Sequence, residues 1–204
     1  MAVIKPFRQV QNIKRKDFNN DLVDYVWLTN YFTDAEVEKI RQLWDEEQII
    51  AAGVNKSGDN HHNEDLRKSR VMFINTGKET DWIYDKLATA CLQVNTNRFK
   101  FDITGFQTQL QLASYGEKDF FEWHMDYGAG DVSNRKLSIT VQLSDPEEYE
   151  GGDLQFMINH NAVSAPKTKG TAIIFPSYAI HRVLPVTSGN RKSIVGWIAG
   201  QPYR

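Results

Sequence analysis

From residue 106 onward the chain alternates. Phe106, Thr108, Leu110 and Leu112 are separated by Gln107, Gln109 and Gln111, and Leu137, Ile139, Val141 and Leu143 by Ser138, Thr140 and Gln142. A period of two sends successive side chains to opposite faces of an extended strand, so each run predicts a strand with one buried face. Residues 154–158, 171–175 and 193–199 predict three more, with turns at Glu150-Gly151-Gly152-Asp153 and Ser188-Gly189-Asn190. Strand follows strand with no helical stretch between. That excludes a parallel α/β sheet and points to a sandwich or barrel.

The first hundred residues read differently. Leu22, Val23, Tyr25, Val26 and Trp27 make a short apolar run that predicts a strand. Thr33 and Glu36 form a T-x-x-E capping box, with Phe32 placed to staple against Val37, and Val37, Ile40, Leu43 and Trp44 recur at helical spacing. A second helix is expected over about 79–95, where Ile83, Leu87, Ala90 and Val94 mark one face. Residues 51–70 between the helices are polar and contain two glycines. They read as a long loop of the kind that serves as a lid. One domain over 1–204 is expected, with helical support over about 1–98 and a β core over about 99–204.

Charge and cysteine content narrow the function. Twenty-four Lys and Arg against twenty-six Asp and Glu leave a net charge of -2. This argues against a nucleic-acid surface, whose affinity rests on neutralised phosphates. The Lys14, Arg15, Lys16 stretch reads as a solvated arm. No run of about eighteen apolar residues appears, and the start MAVIKPFRQVQ lacks a signal-peptide core, so a soluble cytoplasmic protein with no membrane partner is expected. Cys91 is the one cysteine; a metal here must be held by nitrogen and oxygen.

Among five histidines, His124 stands out because Asp126 follows two residues later in FEWHMDYG. At a strand end that spacing points an imidazole and a carboxylate into one space. An isolated H-x-D also arises by chance. A third ligand is available in His181, which follows the 171–175 strand through a short turn. Two histidines and one carboxylate make a facial triad that leaves coordination positions open on Fe(II). Arg191 lies ten residues beyond His181, with Ser193 on the same strand face. A fixed guanidinium there would hold the remote end of a dicarboxylate; alone, Arg191 would read as a surface salt bridge. His61 and His62 read as solvated or substrate-facing loop residues, His160 as an exposed turn, and Asp145, Glu147, Glu148 and Glu150 as a solvated tip.

The segments LQLASYGEKDFFEWHMDYG, LSITVQLSDPEEYEGGDLQF and GTAIIFPSYAIHRVLPVTSGNRKSIVGWIAG together resemble the iron(II)- and 2-oxoglutarate-dependent dioxygenases of the prolyl 4-hydroxylase type, including PKHD-type hydroxylases. LRKSRVMFI at 66–74 is a weaker echo of the R-x-S stretch of prolyl hydroxylase domains. The resemblance implies a mainly β fold with flanking helices (α+β), a distorted double-stranded β-helix of jelly-roll, cupin-like form. It makes His124, Asp126 and His181 the iron ligands, Arg191 the partner of the cosubstrate's C5 carboxylate, and Tyr115 a wall of the cosubstrate pocket, with Ser193 assisting. Trp197 matches a tryptophan bordering the active site, although a plain core aromatic reads equally well. Arg67, Arg70 and Tyr127 are candidates to meet a peptide, framed by the 52–69 loop and the glycine-containing loop at 127–134.

The implied reaction takes Fe(II), 2-oxoglutarate and O2, releases succinate and CO2, and hydroxylates an unactivated C–H bond, with ascorbate as a candidate reductant. Asp126 favours hydroxylation, since related halogenases have a small residue there. The leading substrate is a prolyl residue of a peptide or protein. Lysyl or other side chains and a free amino acid are the alternatives within this chemistry. Nucleic-acid demethylases tend to carry a second arginine where Trp197 stands. A non-catalytic, cupin-like metal or ligand sensor is the alternative of a different class. Oligomeric state is left open; a short N-terminal strand pairing between subunits would be one route.

Overall fold

The computed structural model describes residues 25–52, 54–56, 59–61 and 65–202. Leu22, Val23, the Lys14–Lys16 arm and His62 lie outside them. The N-terminal half contributes β1 (Val26–Leu28), α1 (Asp34–Arg41), β2 (Ile50–Ala51), a hairpin of β3 (Val54–Lys56) and β4 (Asp59–His61), β5 (Arg67–Lys68), β6 (Arg70–Ile74) and α2 (Asp81–Val94). Then come β7 (Ile103–Phe106), β8 (Leu110–Tyr115), β9 (Phe120–His124), β10 (Arg135–Gln142), β11 (Tyr149–Gly151), β12 (Leu154–Ile158) and β13 (Asn161–Ser164). The chain finishes with β14 (Ala172–Pro176), β15 (His181–Val183), β16 (Val186–Gly189) and β17 (Arg191–Gly200). Among the described residues no helix is long and apolar enough to cross a membrane.

The major sheet runs β1-β14-β10-β17-β8-β6-β2, with β7 also on β17; the minor sheet runs β13-β12-β15-β9-β5. Two layers of mostly long-range antiparallel strands make the jelly-roll. One face of the major sheet packs Leu112, Leu137, Ile139, Val141 and Ile194 against Val37 and Ile40 of α1 and Ile83 and Leu87 of α2. The opposite face, with Ala113, Tyr115, Ile173 and Phe175, packs against Leu154, Phe156 and Val183 of the minor sheet. Helices therefore buttress the outer face, and the space between the sheets is left for a site.

Local chemistry explains the elements. Thr33 caps α1: its hydroxyl accepts from the Glu36 backbone, while the Glu36 carboxylate accepts from the Thr33 N–H at 2.8 Å. Phe32 and Val37 share one apolar cluster, as a staple requires. The helix ends at Arg41, and Leu43 and Trp44 pack on the core from the tight turn that follows, Leu43 N–H donating to Ile40 O. Helix α2 runs into a π turn at Asn95–Phe99, closed by Lys100 at φ 57° and by the Asn95 side chain, which bonds the Phe101 backbone twice. Gly151 and Gly152 take φ of +68° and +61° in the expected turn, and a Cβ on Gly151 would meet Pro185 O at 2.3 Å.

Three expectations are corrected. The 106–112 alternation is two strands, not one, because Phe106 pairs with Ile198 and Gln111 with Val195. Five steps on one strand face three on the other. The surplus of two residues bulges out at Gln107–Gln109 and leaves the apolar parity unchanged, which is why the pattern looked continuous. The polar stretch at 51–70 is not a plain loop: it holds β3, β4 and β5, and β5 joins the minor sheet through Arg67 opposite Phe121. Strands of two or three residues are too short to show a period. Finally, β10 is buried on both faces, with Ser138, Thr140 and Gln142 all inaccessible. The acidic tip is solvated as expected, with Glu147, Glu148 and Glu150 exposed, and two of its carboxylates are paired: Lys169 meets Asp145 at 2.6 Å and Arg41 meets Glu148 at 2.7 Å.

Candidate active site

His124 and His181 are cross-strand partners on β9 and β15. Asp126 lies just beyond the strand end, where its own N–H and that of Tyr127 both donate to Ser177 O at 2.9 and 3.0 Å, turning the carboxylate inward. One ligand atom from each of the three side chains falls within 4.8 Å of the others. The His181 Nε2 is 3.6 Å from Asp126 Oδ2, and the His124 Nε2 is 3.8 Å from Oδ1.

Each ring is fixed by a hydrogen bond through its other nitrogen. The Nδ1 of His124 donates to Glu122 O at 2.7 Å, and that of His181 to Ala179 O at 2.9 Å. Both bonds reach the carbonyl two residues back, and both leave Nε2 as the free lone pair facing Asp126. Aromatic neighbours hold the ring planes: Phe121 stacks on His124 with centroids 3.4 Å apart, and Phe175 meets His181 edge-on at 4.7 Å. The Ser138 hydroxyl donates to Asp126 Oδ2 at 2.6 Å and is itself 3.1 Å from Ser177 Oγ.

Protonation follows the same arrangement. Burial, and then the neighbouring His181 ring, push the His124 pKa down to about 3. Burial opposes ionisation of Asp126, but His181, His124, Arg135 and the Ser138 hydroxyl outweigh it and hold the carboxylate at about 2. A neutral His124 imidazole beside an ionised Asp126 carboxylate supplies donors that suit a divalent cation.

The three side chains share an inner cavity with Tyr115, Arg191 and Ser193, and Arg67 and Trp197 border it as well. Arg191 and Tyr115 face each other across β17 and β8. Arg191 is 2% exposed, yet no carboxylate pairs with it among the described residues. Its guanidinium lies 5.4 Å from the Tyr115 ring centre, bonds Gln142 Oε1 at 3.0 Å and interacts with the Tyr149 hydroxyl, while its Nε and the Ser193 hydroxyl are buried with no partner. A buried cation and two orphaned polar groups are costly unless something anionic completes them. The residues therefore fit both Fe(II) and a carboxylate-bearing cosubstrate.

A wider cavity of about 570 Å³ shares His124 and Asp126 with the inner one. Arg67, Tyr127 and Trp197 line it, as do Phe73 and Gln111. Arg67 is buried, its Nε donates to Ser69 Oγ at 2.9 Å and its guanidinium sits 4.7 Å above Phe121. Arg135 lies 3.9 Å above the Trp197 ring, bonds Gln107 and reaches Asp126 O at 3.4 Å. Arg70 is elsewhere. It stands in a separate surface pocket with Trp44 and Lys192 and pairs with Glu46 at 3.6 Å. His61 ends the β3–β4 hairpin, and His160 is exposed in a turn at φ 66°. Sequence reasoning missed Phe121, Arg135, Ser138, Gln142 and Ser177. The polar parity of β10 was the available signal for Ser138 and Gln142.

The sequence profile of the 2OG-Fe(II) oxygenase superfamily matches residues 110–199. A PKHD-type hydroxylase of Hyphomonas neptunium is 44% identical over 87 residues, covering 41% of this chain and 39% of that protein. A second, from Synechococcus sp. (strain CC9902), is 39% identical over 80 residues, covering 39% and 36%. The matched stretches thus span about two fifths of these relatives. Among solved structures, a Pseudomonas putida prolyl-4-hydroxylase superposes with a TM-score of 0.71 at 18% identity, covering 87% of this chain and 93% of that one. A Trichoplax adhaerens prolyl hydroxylase in complex with a hypoxia inducible factor peptide fragment gives 0.74 at 15% identity, covering 88% and 85%. These structural likenesses establish a shared fold.

Proposed function

We propose, for a chain whose residues 110–199 match the 2OG-Fe(II) oxygenase superfamily, that it hydroxylates an unactivated C–H bond of a peptide or protein, a prolyl residue first among candidates. The observation that carries this reading is the convergence, in one buried cavity, of the His124, Asp126 and His181 ligand atoms with an Arg191 that has no carboxylate partner. Peptide substrates are supported by the Trichoplax neighbour, whose structure contains a peptide fragment.

His124, Asp126 and His181 would hold Fe(II), and with 2-oxoglutarate and O2 bound that centre would supply the oxidising chemistry that yields succinate, CO2 and the hydroxylated product. The Nδ1 hydrogen bonds keep both imidazoles in the tautomer that presents Nε2. Ser138 fixes the direction of the Asp126 carboxylate. Arg191 and Ser193 would receive the distal carboxylate of the cosubstrate, with Tyr115 as one wall. Arg67, Tyr127 and Trp197 would face the peptide in the wider cavity. Phe121 and Phe175 give this space apolar walls that would help to keep water from the reacting atoms.

The test is an anaerobic titration with Fe(II) and 2-oxoglutarate, following the visible charge-transfer band of the chelate, with Asp126→Ala and Arg191→Ala as controls. A band in the wild-type protein that weakens in both variants supports the reading, and proline-containing peptides are then screened. Iron binding without a band overturns it in favour of a metal-binding sensor.

A further inference from the structure

Gln142 is 1% exposed on β10 and sits across the ladder from Ser193. Its amide nitrogen donates to Pro166 O at 3.1 Å, and its Oε1 accepts from the Arg191 NH2 at 3.0 Å. It stands behind the guanidinium, outside the lining of the inner cavity. The other groups around the guanidinium are the Tyr115 ring and the Tyr149 hydroxyl.

Every one of these partners is neutral. A buried arginine ordinarily takes a carboxylate, because an uncompensated charge in a dry site is expensive. A glutamate at 142 could offer an oxygen from nearly the same place and would cancel the charge. Glutamine orients the guanidinium through a backbone anchor, the Pro166 carbonyl, yet leaves the positive charge intact. The unpartnered Nε of Arg191 and hydroxyl of Ser193 mark where that charge is still to be met.

We propose that Gln142 is a positioning residue that keeps Arg191 an uncompensated cation, so that the site selects a 2-oxo acid carrying a second, distal carboxylate over one without it. This rests on the 2-oxoglutarate reading above and adds the group that sets the cosubstrate class.

The experiment is anaerobic calorimetry on the Mn(II)-loaded protein with 2-oxoglutarate and with 2-oxopentanoate, which has a methyl group in place of the distal carboxylate. Gln142→Glu should weaken 2-oxoglutarate at least about tenfold, the value of a hydrogen bond to a charged group. It should leave 2-oxopentanoate unchanged and melt no lower than wild type, since the new carboxylate satisfies Arg191. Gln142→Met keeps the cation and should keep the preference for the dicarboxylate. Retention of the wild-type preference in Gln142→Glu overturns the proposal. So does a loss of about tenfold or more of the dicarboxylate preference in Gln142→Met, which would make the role one of packing and is read against wild type even if Gln142→Glu does not fold. Failure of the wild-type protein to bind 2-oxoglutarate at all would instead overturn the cosubstrate reading beneath it, before any substitution is made.

Discussion

Replacing Ser138 with alanine isolates one hydrogen bond at the candidate metal centre. Its hydroxyl donates to Asp126 Oδ2 at 2.6 Å, and both residues are shielded from solvent. A bond of that length to an ionised carboxylate contributes about 1.5 to 3 kcal/mol. At 1.4 kcal/mol per factor of ten, its loss should weaken divalent metal binding by roughly 10- to 100-fold. The loss falls on metal binding because the Asp126 backbone stays held through Ser177 O while its carboxylate becomes free to rotate. Ser177 Oγ, 3.1 Å from the Ser138 hydroxyl, also loses a neighbour, so thermal melting of the metal-free protein must be recorded in parallel. Mn(II) calorimetry on wild type, Ser138→Ala and Ser138→Thr is the assay, with threonine expected to restore affinity. A Ser138→Ala protein that binds metal as tightly as wild type would refute the claim that this hydroxyl orients the ligand.

Arg67→Ala should raise the KM of a peptide substrate while leaving the anaerobic affinity for 2-oxoglutarate unchanged; an unaltered peptide KM removes Arg67 from the substrate surface. Leu87, fully buried between α2 and the major sheet, should cost about 2 to 5 kcal/mol on truncation to alanine, read as a lowered urea midpoint with the same slope. Burial pushes the Glu36 pKa upward, but Lys86 at 2.7 Å and the Thr33 cap hold it below its ordinary 4.5. A carboxyl depressed in the folded state stabilises above its unfolded pKa and loses that contribution as pH falls through the folded value. Glu36→Gln should therefore flatten the decline of stability below about pH 4.5, measured by urea unfolding.

The alternation along β8 and β10 was legible because every second residue there packs against the helices, and the capping box was legible because its chemistry is local. The candidate ligands were legible too, since His124 and Asp126 lie two apart. What the alternation concealed was the nature of the other face. Ser138, Thr140 and Gln142 look like a solvated edge, and periodicity alone cannot separate polar residues facing water from polar residues facing a cavity. The arginines show the limit most sharply. Arg67 and Arg70 are three residues apart, but β5 belongs to the minor sheet and β6 to the major one, so the chain changes layers at Ser69. Strand parity does not survive such a crossing. Arg67 is carried into the site and Arg70 to the far surface, by pairings with Phe121 and with Ser114 that lie more than forty residues downstream. Where a short strand's place is decided by a distant partner, its side chains can be assigned to a site only once that partner is known.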